Sequence, residues 1–488
     1  MLNGKVAKGI ACLALAIASG IPVVSAQDAV PMTAREKELV EKLDTVLQRL
    51  EAVESELKDV KSKQQVQGQT LDVNLGTRVA ELEKERESSL KTYWKDGLRF
   101  DSADGQFKLQ LGGRVWADFT WFDQDRDIED FVSDEDDGGQ LRMARLDLRG
   151  DIYKDVFYRL EYEFAGNNAT PENTSGFTDT YVGLRKIPYV GTLQIGHFKE
   201  PMSIEELTSD NFTTFMERSL PNSLVPGRNL GVQLSNAYLG DPGMERLTYA
   251  LGVFKGTDNW PSLNDGDEDQ GYAFTGRVTG LPYFDPANKR LLHLGMSYSH
   301  RNPDGAPYVI RSTPEARLLR FRWVDSESAP EGYRLANAIP DNVDLWGIES
   351  AFVWGPLSIQ GEYVRSNVDS YLGGNLEFDS YYIYASYFLT GESRPYKNAS
   401  GVFDRVKPLK NFEWGKGWGA WEVAARYSAI DLNDGPIRGG SEDNLTLGIN
   451  WYLNPNTRWM LNYVMADLDH DLYSGNMNIL QTRFQIDF

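Results

Sequence analysis

The chain has 488 residues, with 71 acidic against 50 basic side chains, a formal net charge of −21, and 12% aromatic residues. A chain this acidic lacks the basic face that nucleic-acid binding requires. Its one cysteine excludes a disulfide framework, and its four histidines show no metal-ligand spacing, so we predict no metal and no cofactor. It has neither a Gly-x-Ser-x-Gly motif nor a phosphate-binding loop, and we predict no enzyme activity.

The first 26 residues have the features of an export signal. Two lysines precede an apolar run over residues 9–18, and Val24 and Ala26 lie three and one positions before Gln27. This is the pattern of a signal-peptidase site. The apolar run is only about half of the roughly 20 residues that a membrane-spanning helix needs. We therefore predict a signal peptide over residues 1–26, which contains the only cysteine.

Residues 27–92 are predicted to form a coiled-coil stalk. Residues 33–90 lack proline, and their apolar residues follow the 4-3 spacing of a coiled-coil seam. The seam consists of Leu39, Leu43, Val46, Leu50, Val53, Leu57 and Val60, and resumes at Leu71. We interpret this segment as an oligomerisation stalk in the periplasm, with a single amphipathic helix lying on another domain as the alternative. Residues 93–106 are predicted to be a linker.

Residues 107–488 alternate between apolar and polar side chains in repeated segments, as strands with two different faces do. Sixteen segments are predicted at residues 107–122, 139–152, 155–165, 177–187, 191–199, 228–237, 246–256, 270–280, 290–300, 343–354, 356–366, 377–389, 418–431, 442–453, 457–467 and 478–488. Tight turns alternate with long polar connections, which is the arrangement of an outer-membrane barrel with a periplasmic N-terminus. The predicted fold is an all-β transmembrane barrel of about 16 antiparallel strands.

Two long connections complicate the strand count. Residues 390–416 form a long connection, and the alternation of connections between the two sides of the membrane places it in the periplasm. Residues 317–324 could form a seventeenth strand, but we assign them to a long outer loop because the count must be even. A barrel of eighteen strands is the alternative if both connections contain further strands.

The outward faces of the predicted strands suit lipid. On the closing strand they are Leu480, Phe484, Ile486 and Phe488. Trp451 and Trp459 flank a tight turn, as residues of an interfacial aromatic girdle do. A soluble β-sandwich or propeller is the alternative, but it would have to cover both faces of this many strands.

Alternation places a set of cations on the inward face, where they would line a pore. They are Lys108, Arg114, Arg145, Arg149, Arg159, Arg185, Arg277, Arg426, Arg458 and Arg483. Rings of arginine and carboxylate can filter ions by charge. The alternative is that these cations solvate the lumen and pair with inward carboxylates.

The connection over residues 200–227 is predicted to fold into the pore as a constriction loop. Its candidate residues, with those at its two ends, are Lys199, Glu200, Glu217, Arg218 and Arg228. A loop packed inside a barrel needs its backbone groups and charges paired. Glu217 and Arg218 are therefore also candidates for structural contacts to the wall rather than selectivity groups.

Several motifs resemble the phosphate-selective porins O and P, over residues 98–488. They are QIGHFKEP (194–201), FMER (215–218), GVQL (231–234), LTGE (389–392), WEVAARYS (421–428) and NWYLNPN (450–456). The resemblance implies a homotrimer of sixteen-stranded barrels with an inward-folded third loop, passing small anions such as phosphate across the bacterial outer membrane by passive diffusion. It also implies that wall arginines and lysines near the constriction attract the anion.

Three functional interpretations stay open at this level: an anion porin, a general or sugar porin, and an envelope tether whose stalk contacts the cell wall. Outer-membrane lipid is an expected partner in each case. The acidic stretch over residues 123–137 holds nine carboxylates, but Ile128 stands where a calcium-binding loop needs glycine. We expect a solvated outer loop there, with divalent ions bridging it to surface lipid as an option.

Overall fold

The computed structural model describes residues 45–46, 48–49, 52–53, 55–56, 90–131, 134–166, 175–255, 271–304, 308–319, 321–327, 334–335 and 338–488. The chain divides into two units, Met1–Arg86 and Glu87–Phe488. In the first unit the described residues are helical and exposed. The predicted signal peptide and most of the predicted coiled-coil stalk lie outside the described residues. Within the described part of the chain, no helix is long and apolar enough to cross a membrane.

The second unit is built almost entirely of strands. In chain order these are β1 (Lys91–Trp94), β2 (Leu98–Asp101), β3 (Phe107–Gln124), β4 (Gly138–Ile152), β5 (Val156–Glu163), β6 (Gly176–Ile187), β7 (Gly191–Lys199), β8 (Arg228–Tyr238), β9 (Leu247–Lys255), β10 (Tyr272–Asp285) and β11 (Arg290–Arg301). They continue as β12 (Arg311–Ser312), β13 (Val324–Asp325), β14 (Pro340–Trp354), β15 (Leu357–Ser370), β16 (Gly374–Phe388), β17 (Tyr396–Lys397), β18 (Val402–Phe403), β19 (Ala420–Asp434), β20 (Ile437–Asn454), β21 (Thr457–His470) and β22 (Tyr473–Asp487). Two short helices, α1 (Arg126–Phe131) and α2 (Ile204–Leu207), lie between strands.

Sixteen of these strands close into an antiparallel barrel, namely β3 to β11, β14 to β16 and β19 to β22. The ring closes because β22 pairs with β3, with Ile486 opposite Val115 and Leu480 opposite Trp121. The predicted strand number is confirmed. Observed strands extend past the predicted ends by up to five residues, as at β20, which begins at Ile437. The reason is that hairpin pairing continues into polar rim residues, where the apolar alternation has already ended.

A hairpin that the sequence did not reveal lies within the predicted linker. β1 and β2 pair with each other, and β2 pairs with the start of β3, with Leu98 opposite Leu111. β22 reaches β3 only as far as Arg114, so the hairpin covers the edge that β22 leaves free. Trp94 stacks on Phe488 at 6.4 Å between ring centroids. The first and last residues of the barrel sequence therefore lie at the same opening of the barrel. We call this opening the terminal end, and the opposite opening the loop end.

Three connections fold into the barrel. The constriction loop (residues 200–227) contains α2 and two 3-10 turns, Asp210–Phe212 and Leu220–Ser223. The long outer loop (residues 302–339) enters from the loop end and contains β12 and β13, which pair only with each other. The long inner turn (residues 389–419) enters from the terminal end and contains β17, β18 and the 3-10 turn Asn398–Ser400. The assignment of residues 317–324 to an outer loop fits this arrangement.

The interior at the loop end is a packed apolar core. Inward residues of β14 to β22 contact apolar residues of the constriction loop and the long outer loop. Fully buried examples are Met202, Leu220, Trp323, Val343, Leu345, Phe378, Leu432 and Leu468. Since tightly packed apolar side chains leave no water-filled space, the open lumen is confined to the other side, next to β3 to β10.

Candidate permeation path

Four arginines of the barrel wall hold the constriction loop by its backbone and carboxylates. Arg483 Nη1 donates to the carbonyl of Met216 at 2.5 Å, and Arg458 Nη1 donates to the carbonyl of Thr213 at 2.6 Å. We call Arg142, Arg426, Arg458 and Arg483 the loop cradle. The wall thereby pairs the loop carbonyls of Thr213, Met216 and Glu217, which could not be left unpaired inside the barrel.

Glu217 is the main carboxylate contact of the cradle. Its oxygens accept from Arg142 Nε at 2.9 Å and Nη2 at 3.0 Å, and from Arg483 Nη2 at 2.7 Å. Burial alone would raise the pKa of the Glu217 carboxyl, but the two guanidinium groups hold that pKa below its usual range. Glu217 is thus a charged anchor of the loop.

Arg426 links the constriction loop to the long outer loop. It is almost fully buried, lies over the ring of Phe215 at 4.3 Å, and donates to Glu205 Oε1 at 3.3 Å and to the carbonyl of Glu217 at 3.1 Å. It also forms an ion pair with Glu315 of the long outer loop. The two inserted loops are therefore held by one wall cation.

Arg142 belongs to the cradle although alternation does not place it there. Trp116 of β3 pairs with Met143, whereas the next residue, Ala117, pairs with Leu141. Arg142 is thus the extra residue of a β-bulge, and its side chain reaches Glu217. A bulge changes the direction of one side chain without changing the composition of the strand, so no sequence signal marks this residue.

The other face of the constriction loop meets a network of paired charges that involves β3 to β8. Its cations are Arg114, Arg145, Arg159, Lys199, Arg218 and Arg228, and its anions are Asp147, Glu161, Glu163, Asp179, Glu206 and Asp210. For example, Arg114 contacts Glu161 Oε1 at 2.6 Å through Nη2 and Asp210 Oδ2 at 3.7 Å through Nη1, and Arg218 pairs closely with Asp210. We call this set the central ion network. Its six cations and six anions balance.

Asp210 is the loop carboxylate at the centre of that network. Burial would raise its pKa, but Arg218 and Lys199, with smaller contributions from Arg145 and Arg114, hold the pKa well below its usual range. The pKa of Arg218 is raised, because Asp210 and Glu206 outweigh the effect of its burial. Both groups stay charged and paired at neutral pH.

Glu200 and Arg277 anchor backbone segments. Glu200 is fully buried and accepts from Asn229 Nδ2 at 2.6 Å and from Arg301 Nη1 at 2.8 Å. Arg277 pairs with Glu349 at 2.6 Å and donates to the carbonyl of Gly401, in the long inner turn, at 2.7 Å. These two candidates hold the start of the constriction loop and the inner turn in place.

Three cations with at most one long ion-pair contact face one cavity. The cavity measures about 560 Å³ and lies between the constriction loop and the terminal end. Arg149 is 46% exposed there and has only a 3.7 Å contact with Asp147. Arg99 of the hairpin and Lys397 of the inner turn also line it, and neither has a carboxylate within ion-pair distance in the part of the chain that the structure describes. We call this cavity the vestibule.

Lys108 and Arg185 are the remaining predicted candidates. Lys108 is exposed at the start of β3, near the terminal rim. Arg185 lies over the ring of Phe157 at 4.3 Å and pairs with Asp151 at 2.6 Å. Neither contacts the constriction loop, and their predicted role as anion ligands stays a prediction, as it does for the paired arginines.

The sequence of the barrel places the chain in a known family. The model of the phosphate-selective porin O and P family matches residues 109–488. The chain belongs to this family. It is similar to Porin O of Pseudomonas aeruginosa, with 28% identity over 405 residues, covering 77% of this chain and 86% of that protein. An uncharacterized protein of Caulobacter vibrioides is 28% identical over 406 residues, covering 81% and 76% of the two chains.

Two solved porins are similar to the chain at low sequence identity. An anion-selective porin from Comamonas acidovorans is 14% identical, with a TM-score of 0.46 over 78% of this chain and 100% of that one. OprB of Pseudomonas putida is 10% identical, with a TM-score of 0.49 over 79% and 95%. Membership of a porin family, together with the closed sixteen-stranded barrel, identifies the protein as an outer-membrane porin, a channel rather than an enzyme. By the usual orientation of such barrels, the terminal end is periplasmic.

Among the described residues, no group of three or more histidine, cysteine, aspartate or glutamate side chains is placed to hold a metal ion. The acidic stretch after β3 includes the short helix α1, whose first turn carries Asp127 and Glu129.

Proposed function

We propose that this porin passes small anions, phosphate among them, by passive diffusion through the vestibule. The observation that carries the proposal is the cationic excess of that cavity. Its lining includes Arg99, Arg114, Arg149, Arg159, Lys199, Arg277, Lys397 and Arg405 against Asp96, Asp147, Asp179, Asp404 and Asp487. Eight cations against five carboxylates leave a net charge of about +3 for the ion to meet.

The excess is concentrated on groups that are free to bind. Arg149 and Lys397 are exposed, and Arg99 is half-buried with its Nε donating to the carbonyl of Lys95 at 2.8 Å, whereas Arg114 and Arg159 use their donors on carboxylates. A guanidinium fork matches the oxygens of phosphate, and an ammonium group adds a compact charge. Solvent-exposed cations bind weakly enough for the ion to leave again, which conduction requires.

The balanced central ion network limits this preference. Because its charges cancel, the network adds little net charge to the path of a passing ion. This balance favours a second candidate function, a general small-solute porin. The acidic outer stretch would also repel anions, but at physiological salt its effect fades beyond about 8 Å.

A phosphate titration separates the two candidates. In planar bilayers, chloride conductance through an anion porin with a phosphate-binding vestibule should fall as phosphate is added, because the bound ion occupies the path. Chloride conductance that follows bulk ionic strength alone, together with sugar uptake in liposome swelling, would favour the general porin.

We propose that the porin works as a homotrimer and that β5 to β9 face the partner subunits. These strands have 8–12 residues, against 12–18 for the others in the ring. A tilted strand needs about 9–11 residues to cross a bilayer, so this wall is the least able to cover the hydrocarbon core alone. Contact with another copy would remove that need.

Cysteine cross-linking tests this interface. Val182 on β6 and Ile383 on β16 are both outward-facing and both 55% exposed, so they form a matched pair. Val182→Cys should cross-link between subunits with a short reagent, whereas Ile383→Cys should not. The reverse pattern would place the interface on the long-strand wall.

We also propose that residues 33–90 act as a periplasmic oligomerisation stalk, supported by their heptad spacing. Deleting them should lower the stability of the trimer to detergent and leave single-channel conductance unchanged. Loss of envelope attachment with an intact trimer would favour a tether to the cell wall instead.

A further inference from the structure

The long inner turn has two halves that lie on opposite sides of the barrel wall. Residues 394–406, the lumenal half, lie inside the barrel, where Val406 packs against Phe388, Ala420 and Tyr452. Residues 407–419 lead from there to the outward tryptophans of β19 and β20. We call this outer half the tryptophan flap.

The flap joins the aromatic residues of the outward wall. The carbonyl of Trp418 accepts from Trp451 Nε1 at 2.7 Å and from Trp421 Nε1 at 3.1 Å. Phe412 packs edge-on against Trp451 with ring centroids 5.0 Å apart, and Trp421 stacks on Trp451 at 5.2 Å. Trp421 and Trp451 lie on outward positions of β19 and β20 at their periplasmic ends, so the flap continues the wall's own girdle.

Two tryptophans of the flap project outward from a fixed turn. Trp414 is 86% exposed and Trp418 is 77% exposed. The turn is held by hydrogen bonds between the backbones of Glu413 and Gly417 in both directions, and by the amide of Phe412 donating to the carbonyl of Leu453 at 2.6 Å. Large rings on a defined turn form a preorganised surface, and their apolar area is unfavourable in water.

The charge of the flap indicates its partner. Glu413 is paired with Lys416 at 2.5 Å, whereas Lys410 and Lys407 are exposed and have no carboxylate partner among the described residues. Tryptophan prefers the boundary between hydrocarbon and headgroups, and lysine is attracted to anionic headgroups. Trp421 and Trp451 are the outward tryptophans of the wall beside the flap, where such a boundary is expected.

We propose that the tryptophan flap lies in the headgroup region of the inner leaflet of the outer membrane and binds glycerophospholipid there. Trp414 and Trp418 lie at the acyl boundary, and Lys410 faces the phosphates. The bilayer thereby holds the outer half of a segment whose inner half lines the pore.

That connection reaches the constriction. Four residues before the flap, the amide of Phe403 donates to Thr208 Oγ1 of the constriction loop at 3.3 Å. Arg394 lies over the ring of Phe403 at 3.6 Å and fixes it. Lipid contact at the flap therefore stabilises a turn that touches the constriction loop.

Lipid quenching of a site-specific label tests the proposal. The only cysteine, Cys12, is replaced by serine, and a bimane label is placed on Trp414→Cys. The protein is reconstituted in phosphatidylethanolamine–phosphatidylglycerol vesicles that contain lipids brominated near the headgroup. Two labelled variants serve as controls: Ile383→Cys in the lipid-facing wall, and Tyr371→Cys, which is 71% exposed in the turn between β15 and β16.

We expect the label at position 414 to be quenched at least twofold more than the label at 371, and to approach the quenching at 383. Equal quenching at 414 and 371, with strong quenching at 383, would overturn the proposal. A second result would also overturn the proposal: no quenching at position 414, together with magnetic coupling between spin labels placed at 414 in different subunits. That result would mean that the flap contacts a second copy of the protein. The same label on Trp418→Cys, with the heat-modifiable gel shift as a check of folding, separates these results from misfolding.

Discussion

The loop cradle and the vestibule contain the same kind of residue on the same face of the barrel, and yet they differ in state. Arg483 is 1% exposed and bonds Asp118, Glu217 and a loop carbonyl. Arg149 is also an inward arginine, but it is 46% exposed and has one 3.7 Å contact. The comparison shows that inward direction alone does not make a cation an anion ligand.

The difference follows from burial. A charge removed from water must be paired, because its desolvation cost is otherwise not offset. Wherever the inserted loops cover the wall, arginines therefore bond to them and to carboxylates. Only where the lumen stays open, beside β3 to β10, can a cation keep a free donor for a passing ion.

The largest expected effect comes from removing a cradle arginine. Arg483→Gln leaves Asp118 and Glu217 buried with one cation fewer, and we expect the free energy of unfolding to fall by about 3–5 kcal/mol. Urea unfolding of the refolded barrel, followed by gel mobility, measures it.

Arg149→Gln is the matched control, and its free energy of unfolding should change by less than about 0.5 kcal/mol because the side chain is exposed. Equal losses in both variants would mean that the two regions do not differ in the way that the geometry indicates.

The second effect concerns pH. The lowered pKa values of Asp210 and Glu217 mean that their stabilising charge is fully present above the pKa of an unfolded carboxyl, about 4, and is lost only as the pH falls through the lower folded value. Between about pH 7 and pH 4, single-channel conductance should thus stay constant apart from the bulk change. A step in conductance between pH 5 and pH 6 would show that the loop is held by other groups.

A single vestibule substitution should have a smaller effect. Arg149→Gln removes a charge that lies about 8 Å from the path of the ion. In water, the interaction of two unit charges at that distance is roughly 0.5 kcal/mol, so we expect a roughly twofold loss of the chloride-to-potassium permeability ratio. Arg290→Gln is the control, because Arg290 lies over the outward-facing Trp354 at 3.7 Å. An equal loss in the control would indicate a general surface-charge effect.

The smallest effect is that of salt. Exposed cations are screened over about 10 Å at 0.1 M and about 3 Å at 1 M. The chloride-to-potassium permeability ratio should therefore decline as the salt concentration rises between these values. A ratio independent of salt would assign selectivity to buried groups of the central ion network.

The barrel could be predicted because its signal is local. Alternation and turn lengths predict sixteen strands and their faces, and Leu480, Phe484 and Ile486 are outward and exposed as expected. The hairpin of β1 and β2 was missed, because four-residue strands are too short for alternation to be visible and they pair with β3 only where β22 ends.

The site could be predicted only in part. Alternation found Arg426 and Arg483 on the inward face, but their partners Glu205 and Glu217 lie more than 200 residues away in sequence. Lys397 lies in a turn whose entry into the lumen depends on Arg277 and similar remote contacts. Such tertiary contacts decide whether a cation in the lumen is paired or available to an ion, and no local sequence pattern contains them.

The zero-current potential under a potassium chloride gradient tests the central claim most directly, measured for the wild type and for the triple variant Arg99→Gln, Arg149→Gln, Lys397→Gln. We predict an anion-favouring potential in the wild type and a loss of up to about tenfold in the permeability ratio in the triple variant, from three contributions of roughly 0.5 kcal/mol. A cation-favouring wild type, or a triple variant with an unchanged ratio, would contradict the assignment of selectivity to the vestibule.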